Sequence, residues 1–155
     1  MKTKNLVPII FTILISVVVA AAFYRSGRGI ESDISKVRIG IKEFKVEVAG
    51  TPLARSEGLS LRDSLGLEEG MLFLFKDSGK HGFWMKDMKF AIDIVWIQGD
   101  RIVGFKKNAQ PEPEKSMFNL TTYRPPTEVD KVLEINAGLV DQYGIGVGDK
   151  VEFGN

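Results

Sequence analysis

The sequence predicts a mainly β protein, a β-sandwich or partly open barrel with one or two short helices, preceded by an N-terminal transmembrane helix. Three observations carry this. Apolar residues recur with a period of two over several short runs, Gly and Pro clusters separate those runs, and the first two dozen residues hold a long uncharged stretch. At 155 residues the chain is about one domain long, so one core is expected.

Lys2 and Lys4 precede an uncharged run over residues 6–24. It approaches the roughly 20 residues that cross a bilayer as a helix. Two readings stand: an uncleaved anchor over residues 1–24, which the length favours, and a signal peptide cleaved beside Ala20, Ala21 and Ala22. Arg25 and Arg28 beyond the run oppose the N-terminal lysines, leaving only a slight bias toward a cytoplasmic N-terminus. Either reading ties the chain to a membrane or its far side, with the globular part extracytoplasmic. Residues 25–35, rich in Ser, Gly and charge, read as a linker, and residues 36–155 as a single domain.

Within the domain, Val37, Ile39 and Ile41 alternate with polar residues, and Phe44, Val46 and Val48 resume in the opposite phase. The slip predicts a turn or bulge across Lys42 and Glu43. Thr51 and Pro52 supply an N-cap and a first helical position, and Gly58 closes a short helix containing Arg55. Residues 71–75 are apolar on both faces and predict a buried strand. Further strands are expected over 82–86, 92–98 and 101–107, the last two joined by a tight turn at Gly99 and Asp100. Four of six prolines fall in residues 109–127, a long irregular excursion. A strand over 132–136, a turn of helix over 138–143 and a closing strand over 151–153 complete the chain.

Composition excludes several functions. The absence of cysteine rules out disulfides, a thiolate nucleophile and a lipoprotein anchor. Lys and Arg number 21 against 20 Asp and Glu, interleaved throughout, so no basic patch for nucleic acid is present.

Three ordered blocks, Gly70 with Met71 to Phe75, Phe83 with Trp84 to Asp93, and Val132 with Leu133 to Gly138, resemble the family known as domain of unknown function 192. Arg55, Gly58, Leu59, Arg62, Gly148 and Asp149 extend the likeness. Ser60 stands where methionine is frequent in the family, and Ala91 where proline is. The resemblance implies a compact, mostly β domain of the sandwich type, often exported. It implies no reaction, so function is argued from residues.

Asp93 lies among Ile92, Ile94, Val95 and Ile97, and Glu134 among Val132, Leu133 and Ile135. An unpaired buried charge costs several kcal/mol, so each acid needs a partner, a hydrated cleft or a strand end. Arg55, Arg62 and Lys86 are the cations expected to answer them, and structural ion pairs are favoured over a ligand site. Should they line a site, the candidate pocket is Arg62, Trp84, Lys86, Asp93 and Glu134, with Arg55 and Tyr123 in a second tier: an aromatic face beside fixed charges recognises a small polar ligand. A hydrolase using Asp93 and Glu134 is the alternative, although nearby cations would lower rather than raise their pKa values. A structural protein-interaction module is a third.

No catalytic residue, metal site or cofactor is assigned. His81, the only histidine, lies in a Gly-flanked loop with no acid to orient it. Its spacing to Met85 and Met88 invites a soft metal, but on a strand those methionines point to opposite faces. Gly144, Gly146 and Gly148 lack the ending of a phosphate loop. The leading reading is thus a non-enzymatic binding or accessory module at the cell envelope.

Overall fold

The computed structural model describes Ile30 and residues 32–155. The expected membrane segment lies outside the described residues, and among those described no helix is long and apolar enough to cross a membrane.

The hairpin of β1 (Lys36–Ile39) and β2 (Lys42–Ala49) turns at Gly40 and Ile41, two residues earlier than the phase slip across Lys42 and Glu43 implies. Gly40 takes φ +57°, which its missing Cβ permits, and Ile41 projects into solvent. Helix α1 (Pro52–Glu57) follows, with the Thr51 hydroxyl accepting from the Ala54 N–H at 3.0 Å and Pro52 in its first turn. It forms the crossover that makes β3 (Glu69–Gly79) parallel to β2. Then come β4 (Ile92–Gln98), β5 (Arg101–Ala109), a 3-10 turn (Met117–Asn119), β6 (Val129–Asn136), α2 (Leu139–Gln142) and β7 (Val151–Gly154).

These strands make one seven-stranded sheet in the order β5-β4-β6-β3-β2-β1-β7. Its two edges meet at one rim: Arg101 bridges Lys150, the Ile102 N–H donates to Asp149 O at 3.1 Å, and the Val151 N–H to Asp100 O at 2.9 Å. The sheet therefore curls into a half-barrel. This is the partly open barrel of the two predicted architectures; a sandwich would need two sheets, and the strands form one. All seven strands send residues into one cluster on the concave face, including Phe44, Leu72, Val95, Leu133 and Val151, with Leu139 and Val140 of α2.

The outer face is also covered. Met71, Phe73, Ile92, Ile94, Trp96 and Val132 pack beneath Leu59, Leu65, Phe83, Met85 and Met88, which come from loops. Asn136 pins one of those loops, its Nδ2 donating to Leu65 O at 2.8 Å and Gly66 O at 3.0 Å. The expected strand at 82–86 does not form. Phe83 makes a single bridge with Tyr123, and residues 84–90 cross the sheet as irregular chain. Met85 and Met88 therefore enter the same cluster rather than opposite faces.

The domain's contacts also begin before Lys36. Ile30 and Ile34 pack against the concave core, and the Ile30 N–H donates to Gly50 O at 2.9 Å.

Candidate functional site

Alternation along β6 decides what Glu134 faces. Leu133 and Ile135 point into the half-barrel, so Val132 and Glu134 point to the outer layer. Glu134 stands between Met71 of β3 and Ile94 of β4 as its register partners, both buried and apolar. Only 5% of it is exposed, and among the described residues no cation or hydrogen-bond donor meets its carboxyl. Burial accordingly pushes its pKa up from 4.5 to about 8, so near neutral pH it is an uncharged acid holding its proton.

This acid lines a cleft of about 330 Å³ between α1 and the loop carrying residues 81–88. Gly58, at φ +51°, ends α1 and turns the chain over the ring of Phe73; a Cβ there would meet that ring at 3.4 Å. The walls are aromatic. Phe73 and Phe83 meet edge to face at 5.0 Å, and Phe75 meets Phe83 likewise at 6.3 Å. The His81 ring stacks on Phe75 at 3.6 Å, and Trp84, about half exposed, stands at the mouth with Lys86 and Met88.

Arg55 comes from the last turn of α1. Its Nη1 donates to Gly50 O and Leu74 O, each at 2.9 Å, and its guanidinium lies 5.1 Å from the Phe75 ring centroid. No carboxylate pairs with it among the described residues, so a fixed positive charge sits in the cleft wall. Lys86 is held by its neighbour Asp87.

Four of the residues singled out in the sequence thus share one cleft: Arg55, Trp84, Lys86 and Glu134. Arg62 does not join them. It pairs with Glu47 on the outer rim, and that hydrogen bond lowers the Glu47 pKa and raises that of Arg62. Tyr123 braces the site from behind, exchanging backbone hydrogen bonds with Phe83 at 2.8 and 2.9 Å.

Asp93 is the main correction. Ile94 is the residue opposite Glu134, so Asp93 faces the concave interior and the two acids lie on opposite sides of the sheet. No single pocket contains both, and the two-carboxylate geometry of a glycosidase is not formed. Nor does a cation answer either acid. Asp93, fully buried, accepts from the Asn108 N–H at 2.8 Å and the Val140 N–H at 2.9 Å. Asn108, at φ +50°, lies in the β5 segment where the β4–β5 register shifts, and Val140 lies in the first turn of α2, whose N-cap Gly138 supplies no side-chain cap. One carboxyl group therefore satisfies both the bulge and the helix start.

Sequence reasoning misses His81, Phe73, Phe75 and Phe83, which also line the cleft. Their signal existed in part: Met71, Phe73 and Phe75 share one strand face, and the β3–β6 register sets Met71 beside Glu134. That register is not visible without the fold.

A curled half-barrel whose outer face carries an aromatic cleft around an uncharged acid defines a small β domain with one candidate binding site. The chain belongs to the DUF192 family, described as "Uncharacterized ACR", whose model matches residues 35–153. A crystal structure of a protein of unknown function from Novosphingobium aromaticivorans is similar, with TM-score 0.69 and 32% identity, over 81% of this chain and 91% of that one. A second, described as a "putative transcription regulator" from Sinorhizobium meliloti, has TM-score 0.68 and 30% identity, over 80% of this chain and 98% of that one. No curated protein matches the chain.

Proposed function

We propose that the domain is a binding or accessory module that holds a small polar-tipped ligand in the Glu134 cleft without turning it over, and that residues 1–24 keep it at the cell envelope. One observation carries the binding reading. Glu134 is a buried acid whose carboxyl meets no donor or cation among the described residues, and it opens on an aromatic cleft of the size that small ligands occupy, roughly 300 Å³ and upward. An acid desolvated by burial at the floor of a cleft is unfavourable to folding, and a ligand offering it a hydrogen bond relieves part of that cost.

The test is thermal denaturation of the full-length chain against panels of sugars, envelope glycan fragments, organic anions, amines and metal ions. One class should raise the midpoint, since a ligand at about 100 times its Kd adds roughly 2.7 kcal/mol, and Trp84→Ala should remove the rise. If no class stabilises the chain, the binding reading fails and a protein-interaction role replaces it. For the envelope part, the full-length chain should sediment with membranes, and a domain reached by protease only from the cytoplasmic side would overturn it.

A further inference from the structure

We propose that the ligand is an organic anion with a planar unsaturated body: the body lies against Phe83 and Trp84, the negative group meets the unused edge of the Arg55 guanidinium, and an acceptor elsewhere on the ligand takes a hydrogen bond from the Glu134 carboxyl. This rests on the cleft being a binding site, and it assigns the ligand's chemistry.

Charge sets the first requirement. Arg55 spends only Nη1, on two carbonyls, which fixes the guanidinium and leaves its other nitrogens without a partner among the described residues. A guanidinium held by two carbonyls 5.1 Å from the Phe75 ring centroid presents a planar fork suited to a carboxylate or a similar anion. The groups facing the cleft are Arg55 and Glu57 from α1, His81 and Lys86 from the loop, and Glu134 from β6; the register partners Met71 and Ile94 bring no charge. With Glu134 uncharged and Lys86 paired with Asp87, Arg55 is the lining cation without a carboxylate partner among the described residues, so the place for a ligand charge is an anion's place at its guanidinium.

Glu134 adds direction. A carboxyl that keeps its proton donates one hydrogen bond, so it selects an acceptor, and its burial means a ligand without that acceptor leaves the group unsatisfied. The aromatic walls supply edge and face contacts for a flat ring, as the Phe73–Phe83 and Phe75–Phe83 pairs already do among themselves.

The test uses the full-length chain and four aromatic probes: para-acetylbenzoate, para-isopropylbenzoate, acetophenone and para-acetylbenzylamine. Binding is followed by calorimetry. The benzoate with the acetyl group should bind best, about tenfold or more above acetophenone, which lacks the charge, and above the isopropyl compound, which lacks the acceptor. Arg55→Ala should erase the advantage over acetophenone. Glu134→Met, which fits the apolar surroundings, should erase the advantage over the isopropyl compound, while Glu134→Gln keeps a donor and should retain it.

Raising the pH from about 7 to about 9 should weaken the wild-type affinity for para-acetylbenzoate about tenfold as the Glu134 proton is lost, and should leave Glu134→Gln nearly unchanged. Tighter binding of the amine, or an acetyl preference that survives Glu134→Met, overturns the assignment while leaving the binding reading intact. Failure of all four probes together with every panel compound overturns both.

Discussion

Replacing Asp93 by alanine removes the acceptor of two buried N–H groups at once. The donors are the amides of Asn108 and Val140, at 2.8 and 2.9 Å, in two segments that the more exposed Lys107–Asp141 ion pair also joins. An unsatisfied buried donor costs about 1–3 kcal/mol, so the pair sets a loss of about 2–6 kcal/mol, and a water entering the vacated space would restore one bond and bring it to about 1–3. Against a typical domain stability of about 5–15 kcal/mol that is a large share. Asp93→Asn keeps the shape but has one acceptor oxygen; its amide nitrogen must face the other N–H, so it should lie between wild type and alanine. The assay is denaturant unfolding of the full-length chain near neutral pH, with hydrogen exchange at residues 108 and 140. Both amides should lose protection first. A loss under about 1 kcal/mol for Asp93→Ala, or unchanged exchange at both amides, would refute the bridging role.

Glu134→Gln should stabilise the chain in alkaline buffer. A carboxyl whose pKa rises from 4.5 to about 8 on folding binds more protons folded than unfolded, so stability falls as pH rises between those values; the full penalty, on the order of 5 kcal/mol, is present above about pH 8 and absent in the variant. Unfolding midpoints of the two proteins that run parallel over this range would contradict it. Arg62→Ala should cost under about 1 kcal/mol, because its partner Glu47 is largely exposed, and a larger loss in denaturant unfolding would mean that Arg62 does more than pair at the rim. Glu112 accepts from Lys115, the Thr121 N–H and the Thr121 hydroxyl, which hold its pKa down to about 2. Glu112→Ala should speed proteolysis within residues 110–121 while leaving the global unfolding midpoint in place, and a lowered midpoint would show that this loop is part of the core.

Local chemistry explains what was legible in the sequence. The cap at Thr51, the stop at Gly58, the hairpin at Gly99 and the two-sided burial of residues 71–75 each depend on neighbours within a few positions. The period of two also exposed Asp93 and Glu134 as acids in apolar strands. What satisfies them was not legible: Asp93 is met by backbone amides, which every non-proline residue carries, so no residue type marks the partner. The expected cations were present in number but not in position, since Arg62 reaches Glu47 and Arg55 reaches carbonyls. Residues 82–86 read as a strand because Phe83 and Met85 are buried, but that burial comes from a loop lying across the outer face. Strand order, and with it the half-barrel and the cleft, depends on the parallel β2–β3 crossover and on the meeting of Arg101 with Lys150, contacts no periodicity encodes.

The cleft is built around an acid that is uncharged, without a partner among the described residues, and open to a ligand. Isotope-labelled glutamate carboxyls, titrated by NMR in the full-length chain, test this most directly. Glu134 should titrate near 8, apart from the other glutamates, and rise further when para-acetylbenzoate is added, because the bound carboxylate opposes ionisation and the acceptor holds the proton. A Glu134 signal in the ordinary carboxylate range would mean that the acid is already paired or hydrated, and a raised value that no probe or panel compound moves would mean that nothing reaches it.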